Sequence, residues 1–237
     1  MVKEQIPILV ALDVSEARVA IELAKAVEPH VGGFKVGLEL LTGPGPTTIA
    51  ALSELGLPVF VDAKLHDIPH TVNRAARNLG ALGARWVTAH ALGGTDMLAA
   101  AVSGLAEGSG GHQSGIVAIS VLTSSTGADL AATGINGSPG RQVARLSRLA
   151  AEAGVEGIVC SVKELGDVAQ VAPDLLKVTP GIRSAEDDRD DQARVASASE
   201  AVRRGADWLV IGRPITRADD PVAAAASLAA EVRRSAE

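Results

Sequence analysis

Eight short aliphatic runs recur along the 237-residue chain, each followed by a stretch of helical periodicity. A strand covered on both faces reads as a continuous apolar run. The helix that covers it places apolar residues three or four apart. The runs are 6–12, 33–36, 59–63, 86–89, 116–121, 157–159, 175–178 and 208–211. Between them, Val19, Leu23, Ala26 and Val27 predict one helical stripe. Val72, Ala75, Ala76 and Leu79 predict a second, with Pro69 suited to its first turn. Leu98, Ala101, Val102 and Leu105 repeat the pattern, as do Val143, Leu146, Leu149 and Ala153, and a last helix runs from Pro221 to the C-terminus. Eight such units in 237 residues match a (β/α)8 TIM barrel, which typically uses about 250, better than an open doubly wound sheet of about five or six strands. The Gly/Ser/Thr-rich segments 108–115 and 124–138 read as loops rather than linkers, so residues 1–237 form one domain.

Composition removes several other classes. With 47% hydrophobic residues and a mean hydropathy of +0.23, the chain is not disordered. It has no Tyr, two Phe, two Trp and a net charge of -6, which excludes a single-stranded nucleic-acid binder needing stacking faces and a basic track. The first apolar run ends in Asp13, too short and wrongly flanked for a signal peptide, and no run reaches the roughly 18 to 20 residues of a membrane helix. A lone Cys160 allows no intramolecular disulfide, and a cytoplasmic location is expected. The abundance of Ala and Gly fits helices packed close to a barrel. It fits equally a base composition that also gives 16 Arg against 6 Lys.

In such barrels chemistry collects where strands end, so the polar residues closing each run are the candidates. Asp13 closes the first, although an Asp there could instead cap a helix. Lys35 lies in the second, Asp62 and Lys64 end the third, His90 follows the fourth and Thr123 the fifth. Residues two apart on a strand share a face, so Asp62 and Lys64 are expected to point together into the mouth, within reach of Lys35. A Lys flanked by carboxylates stays cationic, a proton donor rather than a Schiff-base nucleophile. The competing reading is a structural ion pair, which a hydrophobic pair would usually replace without loss. After the last run, Gly212 and Arg213 suit a phosphate, through a close backbone approach and a forked permanent cation, but read equally as a Gly ending a helix and a surface Arg. Pro180 and Arg183 follow the seventh run and lead into the charged segment 184–192, a solvated loop or a lid, with Arg183 and Gln192 facing the ligand. His66, His70 and His90 are read as packing or hydrogen-bonding residues rather than metal ligands, and Cys160 as a buried structural thiol.

Asp62-Ala-Lys-Leu-His-Asp-Ile-Pro-His-Thr71 resembles the D-x-K-x-x-D-I-P-x-T signature of the orotidine 5'-phosphate decarboxylase family. The segments 11–13, 34–37, 89–94, 122–124, 179–183, 190–194 and 212–215 also resemble family motifs in order, covering nearly the whole chain. His70 stands where Asn is commoner, and 195–198 departs from a frequent V-x-T-P. The resemblance implies a Lys-Asp-Lys-Asp array of Lys35, Asp62, Lys64 and Asp67, the last reaching across a homodimer interface. Ile68 and Thr71 would cross into the partner's site as well. It further implies that Asp13 and Lys35 hold ribose hydroxyls and that Thr123 lies near the pyrimidine. Arg183, Gln192, Gly212 and Arg213 would hold the phosphate end, and Pro180 would be a further substrate-binding residue. Orotidine 5'-phosphate and UMP would be substrate and product, with no metal or organic cofactor and no nucleic-acid or membrane partner. Two rivals stand beside this reading: a Mg2+-dependent sugar-phosphate decarboxylase or aldolase sharing the D-x-K-x-x-D core, and a non-catalytic nucleotide-binding barrel.

Overall fold

The computed structural model describes residues 6–183 and 196–236. Eight parallel strands follow one another around a closed barrel: β1 Ile8–Ala11, β2 Gly33–Val36, β3 Val59–Leu65, β4 Trp86–His90, β5 Gly115–Ile119, β6 Gly157–Val159, β7 Leu176–Thr179 and β8 Trp208–Ile211. The ring closes where Ile8 pairs with Leu209 and Val10 with Ile211. Three strands coincide with their aliphatic runs. β5 stops at Ile119, two residues short of its run, because Val121 has already turned to wall the chamber described below.

The barrel has two apolar layers. Inside it, Leu9, Phe60, Trp86, Val117, Val178 and Trp208 pack into a floor. Trp86 meets Phe60 and Trp208 edge to face, with ring centroids 6.5 Å and 5.1 Å away. Three of the four Phe and Trp residues are thus spent on the axis, where their wide rings fill the barrel together with Leu9, Val117 and Val178. Arg85 seals this end: its guanidinium lies 4.3 Å from the Trp86 ring centroid and grips both oxygens of Glu156.

The outer layer is held at close range by small residues. A Cβ on Gly104 would lie 2.1 Å from the Asn73 carbonyl oxygen, and one on Gly108 would lie 2.0 Å from that of Arg77. Only glycine lets helices Pro69–Ala81 and Thr95–Gly108 touch backbone to backbone here. Packing therefore accounts for part of the small-residue excess. The same demand corrects the first stripe. Helix Ala17–Val27 buries Ala20, Ala24 and Val27, whereas Val19 and Ala26 face solvent. The smaller side chains permit the closer approach, and the helix turns that way.

Segment 124–138 is not wholly loop: it contains helix Gly127–Ala132. Thr126 Oγ1 accepts the Asp129 amide at 3.3 Å and the Asp129 carboxylate accepts the Thr126 amide at 2.7 Å, a reciprocal cap that a T-x-x-D spacing encodes. Hydrogen bonds from Thr126 also hold the Asp129 carboxyl below the usual carboxylate range. Among the described residues no helix is long and apolar enough to cross a membrane.

Candidate active site

A chamber of about 280 Å³ opens at the C-terminal ends of the strands, above the aromatic floor. Phe60, Ile119, Val159 and Val210 form its base, and its rim carries the charged residues. Asp13, Lys35, Asp62, Lys64, Thr123, Pro180, Arg183, Gly212 and Arg213 all line it. One wall is two ion pairs side by side. Lys35 Nζ donates to Asp13 Oδ1 at 2.7 Å, and Lys64 Nζ donates to Asp62 Oδ2 at 2.6 Å. Lys35 is only 7% exposed, so its charge sits in the molecule rather than on it.

Asp13 is therefore no helix cap. The helix begins at Ala17, with Glu16 before it and no side-chain cap, while Asp13 reaches inward to Lys35. Gly37 makes room for that pair: a Cβ there would lie 2.9 Å from both Asp13 Oδ1 and Lys35 Nζ. Gly212 precedes the short turn Arg213–Thr216 rather than ending a helix, and its neighbour Arg213 turns to the chamber.

Asp62 and Lys64 do meet, but not by simple alternation along a strand. From Val61 to Leu65 β3 advances four residues, while its partner β4 advances two, from Val87 to Ala89. The surplus is a bulge, and inside it Lys64 takes a φ of 50°, the left-handed region that non-glycine residues rarely enter. Thr88 sits opposite. Its hydroxyl accepts the Lys64 amide at 2.8 Å and donates to Asp62 Oδ1 at 2.9 Å. Sequence reasoning passed over Thr88, although a hydroxyl on the inward side of a strand between Trp86 and His90 was the available signal.

Asp67, Ile68 and Thr71 do not line this chamber. They are exposed at the start of helix Pro69–Ala81, where the Asp67 carboxylate accepts the Ile68 amide at 2.6 Å. Around them the same end of the barrel exposes Leu38, Ile68, Leu92 and Leu122, with Ile68 66% exposed. Gln192 and the segment 184–192 lie outside the described residues. What frames that segment is clear: the Arg183 amide donates to the Ala196 carbonyl and the Ala196 amide to the Gly181 carbonyl, so both flanks are fixed beside the chamber.

The His66 and His90 rings pack with centroids 5.4 Å apart. Burial holds the His90 pKa below its ordinary value, and His66 and Lys64 depress it further against the smaller pull of Asp62. The charged form of His90 is thus disfavoured beside His66 and the Lys64–Asp62 pair. Among the described residues no group of His, Cys, Asp and Glu is arranged to hold a metal ion. Burial pushes the Cys160 thiol up to about 12, with Glu164 adding to the effect, so it is an inert structural thiol.

A closed (β/α)8 barrel with paired charges and two arginines around a chamber at its C-terminal mouth defines a barrel enzyme for a small anionic substrate. Residues 7–228 match the family model described as orotidine 5'-phosphate decarboxylase / HUMPS family. The chain belongs to that family. It is 50% identical to an orotidine 5'-phosphate decarboxylase of Anaeromyxobacter sp. (strain K), covering 94% of this chain and 96% of the relative. It is 48% identical to that of Thermobifida fusca, over 97% of each chain. Among solved structures, the orotidine 5'-phosphate decarboxylase of Lactobacillus acidophilus superposes with a TM-score of 0.83 at 35% identity, covering 95% of this chain and 98% of that one.

Proposed function

We propose that the chain decarboxylates orotidine 5'-phosphate to UMP in the cytoplasm as a step of pyrimidine biosynthesis. The observation that carries the reading is the Lys64–Asp62 pair beside Lys35–Asp13 in one walled chamber, in a chain half identical to enzymes named for this reaction. When the bond from C6 to the carboxylate breaks, CO2 leaves and the electron pair stays on C6, with no conjugated system to receive it. A fixed cation in a water-poor pocket lowers the cost of that charge. Lys64 supplies the cation and then delivers its proton to C6, while Asp62 keeps the ammonium charged and aimed. Asp13 and Lys35 take the ribose hydroxyls, Thr123 the pyrimidine, and Arg183, Gly212 and Arg213 the phosphate end, with Pro180 walling the chamber against the substrate.

Among the described residues, the two carboxylates that line the chamber, Asp13 and Asp62, each hold a lysine ammonium, which supports a metal-free reading. The exposed apolar rim around Ile68 supports a homodimer in which Asp67, Ile68 and Thr71 complete the neighbouring site.

The test is a spectrophotometric assay with orotidine 5'-phosphate, with and without EDTA. Full activity in EDTA is expected; no conversion by folded protein refutes the reaction, and activity restored only by Mg2+ refutes the metal-free reading. Lys64→Ala should abolish turnover while UMP still binds, and an active variant removes Lys64 from the chemistry. Sedimentation should give a dimer that Ile68→Asp dissociates with loss of activity; a fully active monomer excludes the shared site.

A further inference from the structure

We infer that Thr88 is the positioning residue that sets the Lys64 ammonium and the Asp62 carboxylate in register; the inference rests on the proposed role of Lys64. Thr88 is fully buried in β4, and its hydroxyl has one proton to give and lone pairs to receive. The proton goes to Asp62 Oδ1 at 2.9 Å, and the Lys64 amide donates to the oxygen at 2.8 Å. Asp62 Oδ2 in turn receives Lys64 Nζ at 2.6 Å. Backbone and side chain of Lys64 are thus tied to one carboxylate through one hydroxyl, a closed ring of three hydrogen bonds.

The bulge explains why a side chain is needed. Because β3 runs ahead of β4 between Val61 and Leu65, the Lys64 amide takes a side-chain acceptor in the register gap, and Thr88 provides it. The φ of 50° at Lys64 carries a backbone cost, which persists only where neighbours over-determine it. The Thr88 acceptor is what holds that conformation, and the same oxygen fixes which Asp62 rotamer meets it. Valine in its place matches the shape but offers neither bond.

The experiment compares Thr88→Val, Thr88→Ser and Lys64→Ala with the parent protein, measuring kcat, KM and thermal stability, and solving the structure of Thr88→Val. Thr88→Val should lower kcat by about 10- to 100-fold, the effect of removing hydrogen bonds to a charged group, with KM little changed. Thr88→Ser, which keeps the hydroxyl, should recover most of the rate. In Thr88→Val, Lys64 should leave the left-handed region or Asp62 should rotate. A folded Thr88→Val with parental kcat, while Lys64→Ala is inactive, overturns the inference and leaves the role of Lys64 standing. An active Lys64→Ala overturns that role instead. If Thr88→Val does not fold, Thr88→Ser decides: a low kcat in a folded serine variant refutes the hydroxyl's role.

Discussion

Replacing Lys35 by Met separates a charge kept for function from one kept for stability. Lys35 is 7% exposed, and its ammonium meets Asp13 at 2.7 Å. At that distance the attraction is about 6 kcal/mol for an effective dielectric of about 20 and about 1.5 kcal/mol in water. The Asp13 side chain is 54% exposed, so solvent screening brings the value between these limits. Against it stands a desolvation penalty of several kcal/mol for the buried ammonium. The two nearly cancel, and a thioether of similar length fills the space without the penalty. Removing one partner leaves Asp13 unpaired, which would be costly were it buried, but its half-exposed carboxylate regains water. Lys35→Met should therefore keep stability within about 1 kcal/mol of the parent, a Tm shift of no more than about 4 °C either way for a domain of this size. Activity should fall by about 10- to 100-fold in kcat/KM if Lys35 holds the substrate as proposed, because that charge-assisted hydrogen bond would be lost. Thermal melting followed by circular dichroism, paired with the decarboxylation assay on the same preparation, reads both. A Tm lowered by more than about 4 °C refutes the reasoning, since the pair would then stabilise the barrel by more than about 1 kcal/mol. Parental kcat/KM in the folded variant refutes it from the other side.

Three further outcomes follow from the same geometry. On the proposed function Arg213 holds the phosphate end, away from the reacting carbon, and Arg213→Ala should still reduce kcat/KM by about 10- to 100-fold, since remote binding energy drives the chemical step; unchanged kcat/KM removes Arg213 from the site. Because the folded state depresses the His90 pKa, the unfolded chain takes up that proton first. Its contribution to stability is intact above the ordinary value of 6.5 and declines as the pH falls below it, until folded His90 also protonates. Tm measured on both sides of that value should show a slope that His90→Asn reduces, and an identical slope in the variant contradicts the assignment. Finally, Cys160 should resist a thiol-specific disulfide reagent in the folded protein at mildly alkaline pH and react fully once denatured; stoichiometric labelling of the folded protein would mean the thiol is neither buried nor raised.

The sequence by itself determined the barrel and most of the polar residues that line its chamber. Eight apolar runs with interleaved periodic stretches leave few alternatives, because parallel strands must be covered on both faces. Polar residues ending those runs must converge once the barrel closes, so Asp13, Lys35, Asp62, Lys64, Thr123, Pro180, Arg183, Gly212 and Arg213 could be named from position alone. Local periodicity could not choose between the Val19 and Ala20 faces of the first helix, since that depends on how near the helix approaches the barrel. Nor could it foresee that Asp62 and Lys64 meet through a bulge. Register is a relation between two strands, and the four-against-two mismatch of β3 and β4 exists only once both are placed. The tertiary structure also decided the part played by Thr88: a hydroxyl 24 residues from Lys64 in the chain receives its amide because strand pairing, not sequence, sets which groups must satisfy one another.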